Sequence, residues 1–343
     1  MLAVGQPEND GWSGGGGTPP PVLRLDDFMA LANAAYYARR DPFLDFTTAP
    51  EIVQVFGEIL GAWACVAWQQ MGSPACVLLV EVGPGRGTLM QDVLRLVARV
   101  APAFFSAVQV HLVENSPRLR AEQALRVPGA VWHDDLESLP AGPMILLANE
   151  FLDALPIRQF VRRADGWAER YVADGTFVEA CVEGPDREAP EGAVVEVSDA
   201  CRAWILQVSR RVTAQGGVAL VLDYGIFESG LGESLQALRG GQPADPLACA
   251  GEADLTAHVD FAALARVARE AGADVFGPVP QGEFLGQLGL WARTEALARA
   301  NPGQAAALRD AALRLASPSR MGVLFKAMCV TAAGAPVPAG FER

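Results

Sequence analysis

The sequence predicts an α/β fold built on a mostly parallel sheet, and three observations carry that prediction. Val77-Leu78-Leu79-Val80-Glu81-Val82 is apolar apart from one acid and does not alternate, the pattern of a strand buried on both faces. It breaks into Gly83-Pro84-Gly85-Arg86-Gly87 and then into an apolar-periodic stretch over residues 88–100, which reads as a helix. Strands and helices go on alternating to residue 224, which implies parallel strands with ligands at their carboxyl ends.

With 343 residues, 51% hydrophobic and 20% charged, the chain has ample length for a large core. The longest apolar runs are too short to cross a bilayer, so no membrane insertion is expected. The net charge of -13 disfavours nucleic acid and anionic lipid and mildly favours basic partners; solubility alone also explains it. Six scattered cysteines without a C-x-x-C pair read as small buried hydrophobes in a reducing compartment, and three distant histidines give no support for a metal site. Residues 1–21 carry four glycines and a proline run, with no apolar or arginine-rich leader pattern. They read as a flexible tail, and a cytoplasmic location of bacterial type is expected.

In chain order, residues 22–73 form an N-terminal helical segment. A first helix runs over 28–40 with Asp26 or Asp27 as its cap and ends at Asp41-Pro42. A second covers 53–71, with Thr48 placed to cap it and Pro50 and Glu51 in its first turn. The core follows over 74–157 and 197–331, with strands expected at 76–82, 107–113, 130–132, 143–149 and 217–224. Residues 158–196 read as an inserted β-meander, with Asp165-Gly166 and Asp174-Gly175 as hairpin turns. Beyond it come a helix at 261–272, a strand at 273–277, a helical excursion over 281–318 in two helices split at Asn301-Pro302-Gly303, and a strand at 321–331. Residues 332–343 are a C-terminal tail. The last two strands are expected to pair antiparallel at the sheet edge while the excursion caps the site.

The candidate site is assembled at the strand ends. Gly83, Pro84, Gly85 and Gly87 bring a sharp turn and free helix N–H groups to one spot. Glu81 stands two residues before the turn, where a carboxylate repels a pyrophosphate and suits a ligand carrying an ammonium and a sulfonium. That ligand is S-adenosylmethionine, although a tight strand–helix connection also accounts for the loop taken alone. Glu114 ends the second strand, where ribose hydroxyls are read in such folds, and Asp134 follows the third, where it either contacts adenine or closes an ordinary turn. The fourth strand delivers Asn149, Glu150 and Asp153 to the place a reacting group would occupy, where paired carboxylates match the planar fork of a guanidinium. Helix capping by Asn149 is the structural alternative. His258 is a minority catalytic candidate.

Several stretches coincide with one family: Asp45-Phe46-Thr47-Thr48-Ala49-Pro50-Glu51-Ile52, the segments 80–90 and 149–160, Leu222-Asp223-Tyr224-Gly225, Asp245-Pro246-Leu247, and the segments 253–261 and 321–326. On these the chain closely resembles the class I S-adenosylmethionine-dependent methyltransferases of the mitochondrial complex I assembly type, a protein arginine methyltransferase with bacterial relatives. It departs from them at Leu44, where the family commonly has glycine, and at Arg239-Gly240-Gly241-Gln242, where many members have a histidine. The resemblance implies a Rossmann-like seven-stranded sheet and S-adenosyl-L-methionine as cofactor. It adds Thr48, Pro50 and Glu51 to the site, with Glu51 or Asp153 as the acid that holds the guanidinium together with Glu150. It further implies a protein substrate with an accessible arginine, for the mitochondrial relative a subunit of respiratory complex I. A homodimer is compatible with the sequence, and no metal is required.

Overall fold

Residues 22–40, 47–248 and 250–342 are described by a computed structural model. The expected tail at 1–21, the Asp41-Pro42 break and the Leu44-Asp45-Phe46 motif positions lie outside the described residues. The chain opens with β1 (Leu23–Arg24) and α1 (Leu25–Arg39), in which Asp26 and Asp27 sit in the first turn and Arg24 occupies the cap position. Two helices, α2 (Ala49–Ile52) and α3 (Gln54–Gln70), replace the expected single one, because Val53 between them is fully extended. Thr48 precedes α2 without a side-chain capping bond, which corrects the capping role expected for it.

The core then alternates as expected. The sequence β2 (Val77–Val82), α4 (Thr88–Val100), a short α5 (Pro102–Ala107), β3 (Val108–Val113), α6 (Pro117–Arg126), β4 (Val131–His133) and β5 (Met144–Asn149) builds one half of the sheet. Every residue of β2 and β5 is buried, which is what their unbroken apolar runs require of central strands. The meander follows as β6 (Arg158–Arg163), β7 (Gly166–Ala173), β8 (Thr176–Val182) and β9 (Val194–Val197), and β1 completes that sheet by pairing with β7.

The chain re-enters the core through α7 (Asp199–Gln215) and β10 (Gly217–Ile226). A small sheet of β11 (Gln236–Arg239), β12 (Gln242–Ala244) and β13 (Asp254–Thr256) was not expected. Its signal was Gly240-Gly241, both left-handed, the pair that a two-residue hairpin turn demands. After β14 (Val259–Asp260) come α8 (Phe261–Glu270) and β15 (Ala273–Pro280). The excursion holds three helices, α9 (Gln281–Gln287), α10 (Leu290–Ala300) and α11 (Ala305–Ala316), where two were expected; Gly289, left-handed at the start of α10, makes the extra break. One helical turn, α12 (Met321–Leu324), precedes β16 (Phe325–Ala332), so the final strand begins four residues later than expected. The expected C-terminal tail is packed: Phe341 is buried and lies 5.2 Å from Phe284 of α9.

In the main sheet the order is β15-β16-β10-β5-β2-β3-β4, with β14 added beside β10 as a two-residue eighth strand. The strands β4, β3, β2, β5 and β10 are parallel, and β16 runs antiparallel to both β10 and β15. One apolar layer forms where α3, α4 and the excursion cover one face; α7 and α8 cover the other. Because β3 lies on one side of β2 and β5 on the other, the strand order reverses there, and a crevice opens at the carboxyl ends.

Candidate active site

A cavity of about 660 Å³ occupies that crevice. Its floor is the turn after β2. Gly83, Gly85 and Gly87 have φ of 64°, 53° and 82°, and a Cβ on Gly83 would lie 2.9 Å from the Phe151 ring. The glycines are therefore needed for backbone shape and for close approach. Gly83, Pro84 and Gly85 line the cavity, whereas Gly87 sits behind them as the cap residue of α4.

Gln123, wholly buried on α6, ties the turn to the next strand. Its amide nitrogen donates to the Gly85 carbonyl at 2.7 Å and to Glu114 Oε2 at 3.3 Å, and its oxygen accepts from the Trp132 indole at 2.8 Å. The sequence reading missed Gln123; its signal was a polar residue four positions after Leu119 on the buried face of that helix. Glu114 lines the cavity and also accepts the Ser116 N–H at 2.7 Å, and burial pushes its carboxyl up. Asp134 is at the rim, 80% exposed and paired with Arg120 at 2.5 Å.

Glu81 faces the cavity from the end of β2 at 3% exposure. Burial raises its carboxyl to about 8, opposed only by the Met90 N–H, and Oε2 has no hydrogen-bond partner. Asn149 Oδ1 is likewise buried without a partner in the cavity wall. Two orphaned acceptors, one of them an acid held neutral by burial, fit a ligand bearing a cation and N–H donors.

At the other wall stands Glu150, in the left-handed region at φ 51°. Its Oε1 accepts the Ala49 N–H at 2.7 Å and the Asn149 amide at 3.1 Å, while burial raises the carboxyl to about 7. Glu51 accepts the Thr88 hydroxyl at 2.5 Å. The Thr48–Glu51 stretch is thus fastened across the cavity at both ends, with Thr48, Pro50 and Glu51 in the lining. The wall of α1 adds Ala30, Ala34, Tyr37 and Ala38, which the sequence reading missed; alanines spaced by four were the only signal.

Two expected catalytic residues lie elsewhere. Asp153 does not line the cavity, because residues 151–155 form a turn instead of a capped helix and carry its carboxyl onto the Tyr224 hydroxyl. Of the two acids expected to pair with Glu150, Asp153 is therefore absent from the cavity and Glu51 lines it. His258 lines a small separate pocket, edge-on to Tyr224 at 5.5 Å. The Ala257 N–H donates to the Asp153 carbonyl, which draws this segment beneath the turn and away from the cavity.

The family described as "Putative S-adenosyl-L-methionine-dependent methyltransferase" matches residues 59–279. The chain belongs to this methyltransferase family. Among curated relatives, the methyltransferase is 34% identical to "Protein arginine methyltransferase NDUFAF7 homolog, mitochondrial" of Drosophila melanogaster, over 90% of this chain and 80% of that protein. It is 34% identical to "Protein arginine methyltransferase NDUFAF7, mitochondrial" of Homo sapiens, over 78% and 69%. Among solved structures it resembles a "likely methyl transferase from Burkholderia thailandensis bound to S-adenosyl-homocysteine", with a TM-score of 0.79, 25% identity and coverage of 94% and 91%. The cofactor is S-adenosylmethionine. The expected cytoplasmic location is corrected by the relatives' names, which are mitochondrial. The expectation rested on the lack of an apolar or arginine-rich pattern in residues 1–21, and a glycine- and proline-rich stretch of that length does not decide an address.

The buried acids of the methyltransferase set its response to pH. Glu81 and Glu150 have folded values above the unfolded 4.5, so between about pH 4.5 and 8 the folded state binds more protons than the unfolded one. Stability then falls as pH rises, by up to about 1.4 kcal/mol per group per pH unit. The ligand-free protein should melt at a higher temperature near pH 5 than near pH 8 by calorimetry. Saturating S-adenosylmethionine should narrow the difference, because its cation favours the ionised acid.

Proposed function

We propose that this methyltransferase modifies an arginine side chain of a protein partner. The observation that carries the reading is Glu150, a carboxylate in the cavity wall with Oε1 already bonded and Oε2 free of any hydrogen bond among the described residues. A guanidinium is planar and always charged, and a fixed carboxylate both orients it and draws its charge toward the nitrogens that are not attacked. The relatives' names, as protein arginine methyltransferases, support the same substrate class, and the net charge of -13 suits a basic partner.

When bound, S-adenosylmethionine supplies an electrophilic methyl on its sulfonium. Glu81 and the glycine turn hold the cofactor, Glu114 takes the ribose hydroxyls, and Thr48 and Pro50 close the cavity above. Asp134 meets the adenine from the rim. Glu150 aligns the guanidinium, and most of the rate comes from that alignment. The proton leaves late and needs only a weak acceptor, a role that suits a carboxyl raised to about 7.

Incubating the protein with labelled cofactor and a cell lysate, followed by mass spectrometry, should find label on arginine. Supplying purified subunits of respiratory complex I tests the narrower partner implied by the resemblance. Measurable S-adenosylhomocysteine binding with no labelled protein under any condition would leave a cofactor-binding assembly factor as the reading.

A further inference from the structure

We propose that Asp223 is the positioning residue for Glu150: its carboxylate is the template on which the turn carrying that acid is wound. Asp223 lies near the end of β10 and is 1% exposed. Its Oδ2 accepts the backbone N–H groups of Phe151 at 3.1 Å, Leu152 at 2.8 Å and Asp153 at 3.3 Å. Its Oδ1 accepts the N–H of Tyr224 at 2.9 Å. The preceding residue, Leu222, accepts the Glu150 N–H through its carbonyl at 2.8 Å. Two successive residues of β10 thus take the four successive N–H groups of residues 150–153.

Buried N–H groups in an irregular turn are costly unless paired, and these four have no helix to satisfy them. A left-handed backbone at a residue with a Cβ persists only where its surroundings over-determine it. Glu150 has that conformation, and the bonds to β10 are what fix it. A buried lysine is in register with Asp223, since Lys326 of β16 is its strand partner, yet Lys326 Nζ donates to the Val323 and Leu324 carbonyls. The carboxylate is left to the backbone of the turn and has no ion pair among the described residues. Asp223 is absent from the cavity lining, so it acts on the reaction through Glu150.

This inference rests on the role proposed above for Glu150. Asp223→Asn keeps the volume and one carbonyl oxygen but loses half of the acceptor capacity. The amide of Ala49 reports the position of Glu150, because it donates to Oε1 from a segment remote in sequence. Residue-resolved hydrogen exchange should find the Ala49 amide at least tenfold faster in D223N, as in E150A, while S-adenosylhomocysteine affinity stays within threefold. Methyl transfer to lysate proteins should fall about tenfold. An unchanged Ala49 amide beside faster amides at 151–153 would overturn the inference, as would a uniform acceleration across β2 and β5. Asp223→Ser, with a single hydroxyl acceptor, serves if the asparagine variant does not fold. Failure of the wild type to transfer any methyl would count against the proposed function, while Ala49 exchange would still decide the role of Asp223.

Discussion

Replacing Glu150 with glutamine should reduce methyl transfer by about 10²- to 10³-fold and leave S-adenosylhomocysteine affinity within a few-fold. The amide oxygen of glutamine can still accept the Ala49 N–H that Glu150 Oε1 accepts at 2.7 Å, so the cavity wall should hold its shape. What disappears is the charge facing the guanidinium. A charge-assisted hydrogen bond in a buried site is worth about twice a neutral one, and a glutamine NH₂ would meet a donor with a donor. Asp153 cannot compensate, since it is turned onto Tyr224. Labelled-methyl incorporation with calorimetry on the same preparation checks both halves. Transfer within threefold of wild type would mean that Glu150 does not hold the substrate.

The second large effect is expected at Glu81. Burial keeps this acid protonated up to about pH 8, and a cation alongside favours the ionised form. Binding S-adenosylmethionine at pH 6 to 7 should therefore release close to one proton, and affinity should rise toward pH 8. Glu81→Gln should weaken binding about 10- to 100-fold at pH 8 and abolish both the proton release and the pH dependence. Calorimetry in two buffers of different ionisation enthalpy measures the proton directly. Unchanged affinity together with unchanged proton release would place the cation elsewhere in the cavity.

The central strands and the glycine turn were legible because their signals are local: apolar runs long enough to bury, and glycines where the backbone must be left-handed. Glu81, Glu114 and Asn149 were legible because strand ends converge on one crevice once the alternation is recognised. What escaped is what depends on contacts distant in sequence. Asp153 reads like Glu150 three residues earlier, and only the winding of the turn on β10 decides which acid faces the cavity. Asp223 and Gln123 look like strand-end and helix polar residues until their partners at 151–153 and at Gly85 are known. The face of α1 is a run of alanines in the sequence, and becomes a cavity wall only when the helix is laid across the sheet.

The bond between the Ala49 N–H and Glu150 Oε1 has a thermodynamic consequence for turnover. It joins a segment that covers the cavity to the acid within it, and it is the strongest hydrogen-bond influence holding the Glu150 carboxyl down against burial. An acid ionised beside an arriving guanidinium is the stronger acceptor, so it holds the Ala49 N–H, and with it the covering segment, more tightly. Seating of the substrate and fastening of the cover over the cavity are thereby linked, each favouring the other.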